Sequence, residues 1–534
     1  AELRLLEKPN YEFEAVGDIE SYFETADTVS VGGLVDGEPV GRNDFFDTFR
    51  LERNTLFYEM LEQTYNLLDY YLEQDYSEDG VGTFPKDAYQ FWQSYYASDP
   101  SWYDLPKEWR KIAGRASNKQ KIMFSVETVQ SILGRLMLAK ACEDYDFPNV
   151  SISSHIEGET VDFRGQIEPV SHVQTGRSLM RTLREELVES VFEQDIYYWW
   201  TQPAEEIEDL SSREISEEEW PSEYDEFGKS LIEFTITMAR FDFSSIRGDP
   251  LGELYQQYFD PKTRRALGEF YTPPSVCDYI VGSTEYGENV RYERLIDPAC
   301  GSGTFIMTAL ERYKENMDKE ELPGALQDLC NRARVVGLDI HPFAVVLAQI
   351  RFMLEILEDY KQAIEIDPNL VLRRLPIFRT DSLLDESQAQ EGVQQSLTAS
   401  YTGDKVEFTM PLPIRNRGGG KFESMDFEFP RFSHVQSTTL GEISNQQQYF
   451  SALCAVFDGV KSQAAEESYE ITTDQLVPYF YDYFSRERAV EQIAGVFKNT
   501  ANEFLETIRE LREEYNDGRL LKLIEDVVLG ATLK

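Results

Sequence analysis

The chain has 534 residues, enough for about two to four domains, and its 41% hydrophobic and 13% aromatic content excludes a disordered polymer. Its formal net charge of −46, from 97 acidic and 51 basic residues spread along the chain, argues against nonspecific nucleic-acid binding at ordinary ionic strength and leaves only a local basic groove open. No run of about 18 apolar residues and no signal-like N-terminus occurs, so no membrane association is expected and a cytoplasmic location is.

The first residue is Ala1 rather than Met, and the sequence is expected to be a piece of a longer one. Residues 1–42 are β-like: "AELRLLEKPNYEFEAV" alternates like the edge of a sheet without its partners, the remnant of an upstream domain or a linker. Residues 43–259 form a helical N-terminal domain. "LFYEMLEQTYNLLDYYLEQ" (56–74) and "VETVQSILGRLMLAKACED" (126–144) carry apolar residues at helical spacing, while "DYSEDGVG" and "SSREISEEEWPSEYDEFG" are predicted as acidic loops. "SLIEFTITMARFDFS" and "PLGELYQQYFD" are predicted as two further helices.

From 260 to 384 strands and helices alternate. "ERLID", "ARVVGLDI" and "LPIFRTD" are predicted strands, and "GTFIMTALERYKENM" and "PFAVVLAQIRFMLEI" the helices between them, the βαβαβ pattern of a parallel sheet. Residues 385–439 hold two β-like runs, "KVEFTMPLPI" and "FESMDFEFPRF", around "RNRGGG", a hairpin-like insertion. Residues 440–534 are helical again, in "NQQQYFSALCAVFDGV", "AVEQIAGVFKNTANEFLETIRELREEY" and "LLKLIEDVVLGATLK". The fold class is therefore α/β, a parallel sheet with a large helical N-terminal domain and a C-terminal helical extension.

Ligands of open parallel sheets bind outside the carboxyl ends of the strands, and here three strands end in Asp297, Asp339 and Asp381. Gly301-Ser302-Gly303 follows the first, a turn that lets backbone approach a ligand closely. A phosphate loop would need a Lys after the last glycine and is excluded; a strict dinucleotide fingerprint fails because Ile306 occupies its third glycine position. Asp297 suits a cationic amino group, Asp339 a ribose diol and Asp381 an exocyclic adenine amine. Together these make S-adenosylmethionine, with no metal required. Any one of these acids, taken alone, is more often a helix cap or a turn former; three in order on successive strands, with the glycine turn after the first, favour the binding reading. Five scattered Cys and four His give no disulfide framework and no zinc pattern.

"LGEFYTPPSVCDYIV" (267–281), "LIDPACGSGTF", "VVGLDIHPFAVVLAQ" and "IFRTDSLL", in this order, resemble the N6-adenine DNA methyltransferases of restriction-modification and phage-defence systems, nearest to large single-chain enzymes of type IIG or BREX-like kind in the γ motif order. The resemblance is close over about 125–384. It implies a Rossmann-like S-adenosylmethionine-dependent methyltransferase core in which Tyr271, Thr272 and Pro273 pack on the methionine end of the cofactor. Asp297, Ala299, Gly301, Gly303, Asp339 and Asp381 would complete the cofactor set. It also implies double-stranded DNA and a restriction or specificity partner, or more of the same chain, as partners. The family's catalytic Asn-Pro-Pro-Tyr type of loop has no match: the one Pro-Pro pair is Pro273–Pro274, inside the cofactor motif. "LLKLIEDVVLGATLK" resembles the lead-in to the strand bearing that loop, which is expected beyond Lys534, so no catalytic residue is assigned. The alternative is a non-catalytic, cofactor-binding half of a split enzyme. "ELRLLE" is compatible with the tail of an upstream nuclease domain, although no nuclease motif is recognisable. The acidic surface, with 18 Lys against 33 Arg, matches a protein of a high-salt cytoplasm, where about 1 M salt screens self-repulsion over ~3 Å; an ordinary acidic protein is the alternative.

Overall fold

The computed structural model describes residues 14–15, 42–73, 84–152, 196–201, 222–244, 250–258, 272–380, 398–415, 422–515 and 520–533, apart from single positions and short stretches inside these ranges. They fall into two compact units, one of residues 1–280 with 349–368 and one of residues 281–348 with 369–534. The acidic stretch "DYSEDGVG" and the turn "NRGGGK" (416–421) lie outside the described residues.

The first unit is helical because its apolar residues recur at i, i+3 and i+4. It contains β1 (Glu14–Ala15), α1 (Arg42–Phe49), α2 (Leu56–Glu73), α3 (Phe84–Tyr95), α4 (Trp109–Ile112), α5 (Lys119–Asp144), a short 3-10 turn (Ile196–Thr201), α6 (Ser222–Met238), β2 (Phe241–Asp242) and α7 (Pro250–Tyr258). α2 buries Phe57, Leu61 and Leu68, and the Phe234 ring of α6 lies 5.0 Å from Phe49 and 6.5 Å from Phe57. α5 begins where the Asn118 side chain accepts from the Lys121 amide. By length and composition it could cross a membrane, yet its most apolar window is entirely buried inside the protein, so it is the unit's core helix. Two of its buried charged groups are paired: Glu127 Oε2 accepts from Trp92 Nε1 at 2.8 Å and Tyr197 OH at 2.7 Å, and Lys140 pairs with Asp144, which also accepts from the Phe243 amide at 2.7 Å.

Three expectations change here. The N-terminal alternating stretch is not without a partner where it is described, since Glu14 and Ala15 pair antiparallel with Asp242 and Phe241. "RFDFS" does not continue a helix; Phe241 and Phe243 are both buried, and the chain turns extended to make that pairing. The last part of the acidic "SSREISEEEWPSEYDEFG" is not a loop, because Ser222 opens α6 and Glu223 and Asp225 sit in its first turn, where carboxylates complement the helix dipole.

α8 (Pro274–Ser283) leads out of this unit. The second unit holds β3 (Leu295–Asp297), α9 (Thr304–Asn316), α10 (Leu322–Cys330), β4 (Val335–Asp339), the start of α11 (Pro342–Ile366) and β5 (Ile377–Arg379). The three strands form a parallel sheet in the order β3-β4-β5, with Asp297 opposite Gly337 and Asp339 opposite Arg379. β4 is the middle strand, and Val335–Leu338 is buried throughout, as a strand covered on both faces must be. From Gln349 onward α11 belongs to the first unit, where Ile350 presses on Gly134 and Tyr360 lies 5.7 Å from Phe147.

The insertion is a three-stranded antiparallel sheet: β6 (Thr398–Thr402), β7 (Lys405–Arg415) and β8 (Phe422–Pro430), ordered β6-β7-β8. The two longer strands are those predicted; β6 adds a third. Phe408 stacks across the ladder on Phe427 and Phe429 at 5.6 and 5.1 Å. Five helices follow, α12 (Phe432–Thr438), α13 (Gln446–Ala465), α14 (Thr473–Tyr481), α15 (Glu487–Tyr515) and α16 (Leu520–Thr532). They share one hydrophobic core with β4, β5 and the inner face of the antiparallel sheet.

Candidate functional site

The loops after β3 and β4, at the carboxyl edge of the parallel sheet, carry five of the residues singled out from the sequence. β3 ends at Asp297, whose Oδ1 accepts from the Ala299 amide at 3.1 Å. The chain then turns through Gly301 (φ +53°) and Gly303 (φ +90°) into α9. Both angles lie in the left-handed region that disfavours a side chain. The two glycines differ in their surroundings. A Cβ on Gly303 would meet Ala348 Cβ at 3.2 Å, so that glycine serves packing, whereas a Cβ on Gly301 would meet nothing within 4 Å among the described residues. Among those residues Gly301 therefore faces open space at the strand edge.

The turn is tied to the next strand. Cys300 N donates to Leu338 O at 2.9 Å, and Gly301 N donates to Asp339 Oδ2 at 2.8 Å. Asp339 Oδ1 accepts from the His341 amide at 2.9 Å, and the Ile340 amide also contributes. Asp339 thus shapes its own loop and the glycine turn at once. Gly337, on the same strand, gives the turn its room: a Cβ there would lie 3.0 Å from Cys300 Sγ.

Electrostatically the edge is an acidic, partly dehydrated place. Burial pushes the Asp297 carboxyl above its ordinary range; the Ala299 amide opposes this and the charge of Asp339 adds to it. Burial likewise raises Asp339, against the pull of the His341, Gly301 and Ile340 amides. Burial lowers the His341 imidazole to about 4, so it is neutral near pH 7. Beside these polar groups Ile340 is 45% exposed, an apolar surface at the same edge.

Of the residues singled out earlier, Asp297, Ala299, Gly301, Gly303 and Asp339 come together on this one edge. Thr272 and Pro273 precede α8, where the Pro273 carbonyl accepts from the Val276 and Cys277 amides at 2.9 and 3.1 Å. Tyr271 and Asp381 lie outside the described residues. Two residues escaped the sequence reading. Thr380 N donates to Asp339 O at 2.9 Å and so joins the ends of β4 and β5. Arg374, just before β5, is the centre of a buried ionic cluster with Asp458, Tyr483 and Glu525. A Thr beside the strand-end Asp381 was a usable signal; nothing in the local sequence marks Arg374 as buried. The five cysteines are all buried, and none forms a disulfide.

A strand, a Gly-Ser-Gly turn and the next strand, whose acid holds that turn, follow one another in a segment that matches a family model, and β5 begins just past its end. Residues 247–376 match the model of the N-6 DNA methylase family. Curated relatives of this methylase segment include the adenine-specific methyltransferase PglX of Streptomyces coelicolor, 33% identical over 142 residues, which is 24% of this chain and 11% of that protein. The MjaVII type I restriction enzyme methylase subunit of Methanocaldococcus jannaschii is 37% identical over 93 residues, 17% of this chain and 15% of that one. The matches thus span less than a fifth of these relatives' length. Among solved structures, a nuclease-deletion mutant of the type ISP restriction-modification enzyme LlaGI in complex with a DNA substrate mimic aligns with 61% of this chain and 20% of its own. Its TM-score is 0.29 and its identity 15%, too slight a likeness to build on.

Proposed function

We propose that the carboxyl edge of β3-β4-β5 is the S-adenosylmethionine site of a DNA adenine-N6 methyltransferase with a Rossmann-like core, belonging to a restriction-modification or phage-defence system. The observation that carries this reading is the open space at Gly301, bounded by Asp297 and by an Asp339 that holds the turn in place. A cradle without a Cβ beside two carboxylates raised by burial fits a ligand that brings a positive charge and hydroxyl donors. A cationic amino group at Asp297 relieves the repulsion between Asp297 and Asp339. Asp339 has about four acceptor positions as a carboxylate; three are taken by the Gly301, His341 and Ile340 amides. It is left to accept one ribose hydroxyl rather than both. The exposed Ile340 offers an apolar face to an adenine ring, and Asp381 an acceptor for its amine. The resemblance, and not the geometry of this edge, assigns Tyr271, Thr272 and Pro273 to the methionine end.

When bound, the sulfonium compound supplies an electrophilic methyl group. The chain's own contribution is positional: the clamped turn keeps the ligand's approach fixed, and the neutral His341 adds no competing positive charge. Double-stranded DNA is the proposed methyl acceptor, and a specificity or restriction polypeptide the proposed partner. A flipped adenine must be stacked on an aromatic and its amine held by acceptors. The only Pro-Pro pair in this sequence, Pro273–Pro274, opens α8 and is assigned to the cofactor. We therefore assign cofactor binding to residues 1–534 and the adenine-holding loop to other polypeptide, in the same chain or a separate one. The test is incorporation of labelled methyl groups into DNA at high salt, with N6-methyladenine identified by mass spectrometry. Transfer is expected only when a polypeptide with the missing loop is supplied. Methylation by residues 1–534 alone would overturn the division of labour, and methylation at cytosine would overturn the substrate.

A further inference from the structure

The C-terminal helix α16 lies along β5 and runs in the same direction. Before the strand, Arg374 is 2% exposed, and its guanidinium donates to Glu525 Oε1 at 3.2 Å, Asp458 Oδ1 at 2.5 Å and Tyr483 OH at 2.6 Å. Lys461 Nζ holds the other oxygen of Glu525 at 2.9 Å. At the strand's carboxyl end the helix has reached Gly530. A Cβ on Gly530 would meet Thr380 Cβ and Cγ2, both at 2.9 Å, and Phe378 Cβ at 3.2 Å. Gly530 has no left-handed φ, so space, not backbone conformation, calls for glycine there.

Thr380 is where this contact meets the site. Its amide donates to Asp339 O at 2.9 Å, and Asp339 Oδ2 accepts from Gly301 N at 2.8 Å. Its hydroxyl is buried and has no hydrogen-bond partner among the described residues, so the side chain is located by packing alone. A displacement of Thr380 passes through one hydrogen bond to Asp339 and a second to the glycine turn.

We propose that α16 is a positioning element of the cofactor site: the close approach of Gly530 to Thr380, with Arg374 anchoring the helix at Glu525, sets the carboxyl end of β5 and thereby Asp339, the ribose-side acceptor, and the glycine turn it holds. This rests on the cofactor reading given above. Ordinary core packing is the competing explanation, and the same unit contains its control. Gly459 on α13 is as tightly placed, with a Cβ meeting Leu476 Cδ2 at 2.7 Å; it follows Asp458 of the Arg374 cluster but packs on α14, and the nearest atoms to its Cβ are those of Leu476 and Tyr479, not Thr380.

The experiment compares wild type, Gly530→Ala and Gly459→Ala by calorimetric titration with S-adenosylhomocysteine and with its 2′,3′-dideoxyribose analogue, which lacks the ribose hydroxyls. Wild type should prefer S-adenosylhomocysteine. Gly530→Ala should bind it about tenfold more weakly and with a narrowed preference, while Gly459→Ala stays within about twofold of wild type and keeps the preference. If Gly530→Ala does not fold, Thr380→Ser, which opens the contact by one methyl group instead of closing it, should narrow the preference in the same way. Equal affinity and preference in Gly530→Ala or Thr380→Ser and wild type would overturn the positioning role and leave the cofactor reading standing. Absence of binding by folded wild type would overturn both.

Discussion

Asp339→Asn should cost the protein its cofactor affinity by loosening the glycine turn. The carboxylate accepts from Gly301 N at 2.8 Å and from His341 N at 2.9 Å on different oxygens. An amide side chain has one acceptor oxygen, so one backbone N–H must lose its partner and face an NH2 group instead. A hydrogen bond to a charged acceptor contributes about 1.5–3 kcal/mol. If that loss falls on the conformation of Gly301, where φ is +53° and the chain has few alternatives, the affinity for S-adenosylhomocysteine should drop roughly 10- to 150-fold. Titration calorimetry in molar KCl measures it, and thermal melting of the same samples shows how much appears as global stability. An affinity within about twofold of wild type would mean that the turn does not depend on Asp339, and would remove this residue from the site.

Arg374→Met leaves Asp458 and Glu525 buried with fewer counter-charges and should destabilise the second unit by about 3–5 kcal/mol; urea unfolding curves superimposable on wild type would contradict it. Burial raises the Asp144 carboxyl to about 6 despite Lys140 and the Phe243 amide. Between the ordinary value of 3.8 and about 6 the folded state keeps a proton that the unfolded chain has lost, so this group's contribution becomes less favourable as pH rises through that window. Asp144→Asn should remove that slope, worth up to about 3 kcal/mol, and parallel stability–pH curves for variant and wild type would refute it. We propose that the net charge of −46 reflects a high-salt habitat: the melting temperature should rise between about 0.1 and 2 M KCl, and a flat series would remove that proposal.

The parallel sheet was legible because each strand pairs an apolar run with a turn residue. "VVGL" before Asp339 reads as a covered strand, and "ID" followed by Gly-Ser-Gly reads as a strand end and a tight turn. Other elements hid behind composition. α14 opens with a capping box between Thr472 and Gln475 and carries Pro478 inside it, so its local signals point both toward and against a helix. α6 begins within an acidic stretch whose charges sit in its first turn. β2 is two residues long and exists because β1 pairs with it, a partnership more than 200 residues apart in sequence. At the site, the strand-end acids were visible but their hydrogen bonds were not: that Asp339 serves the Gly301 and His341 amides depends on φ angles no pattern encodes. Arg374 looked like one of 33 arginines; its partners lie 84, 109 and 151 residues away, and only the folded chain brings them together.

The most direct measurement is a calorimetric titration of the folded chain, in molar KCl, with S-adenosylhomocysteine, followed by competition with S-adenosylmethionine and with NADH. The expected result is one site per chain, competed by S-adenosylmethionine and indifferent to NADH. No heat of binding from protein shown to be folded, or displacement by NADH, would contradict the assignment of the β3-β4-β5 edge as a methyl-donor site.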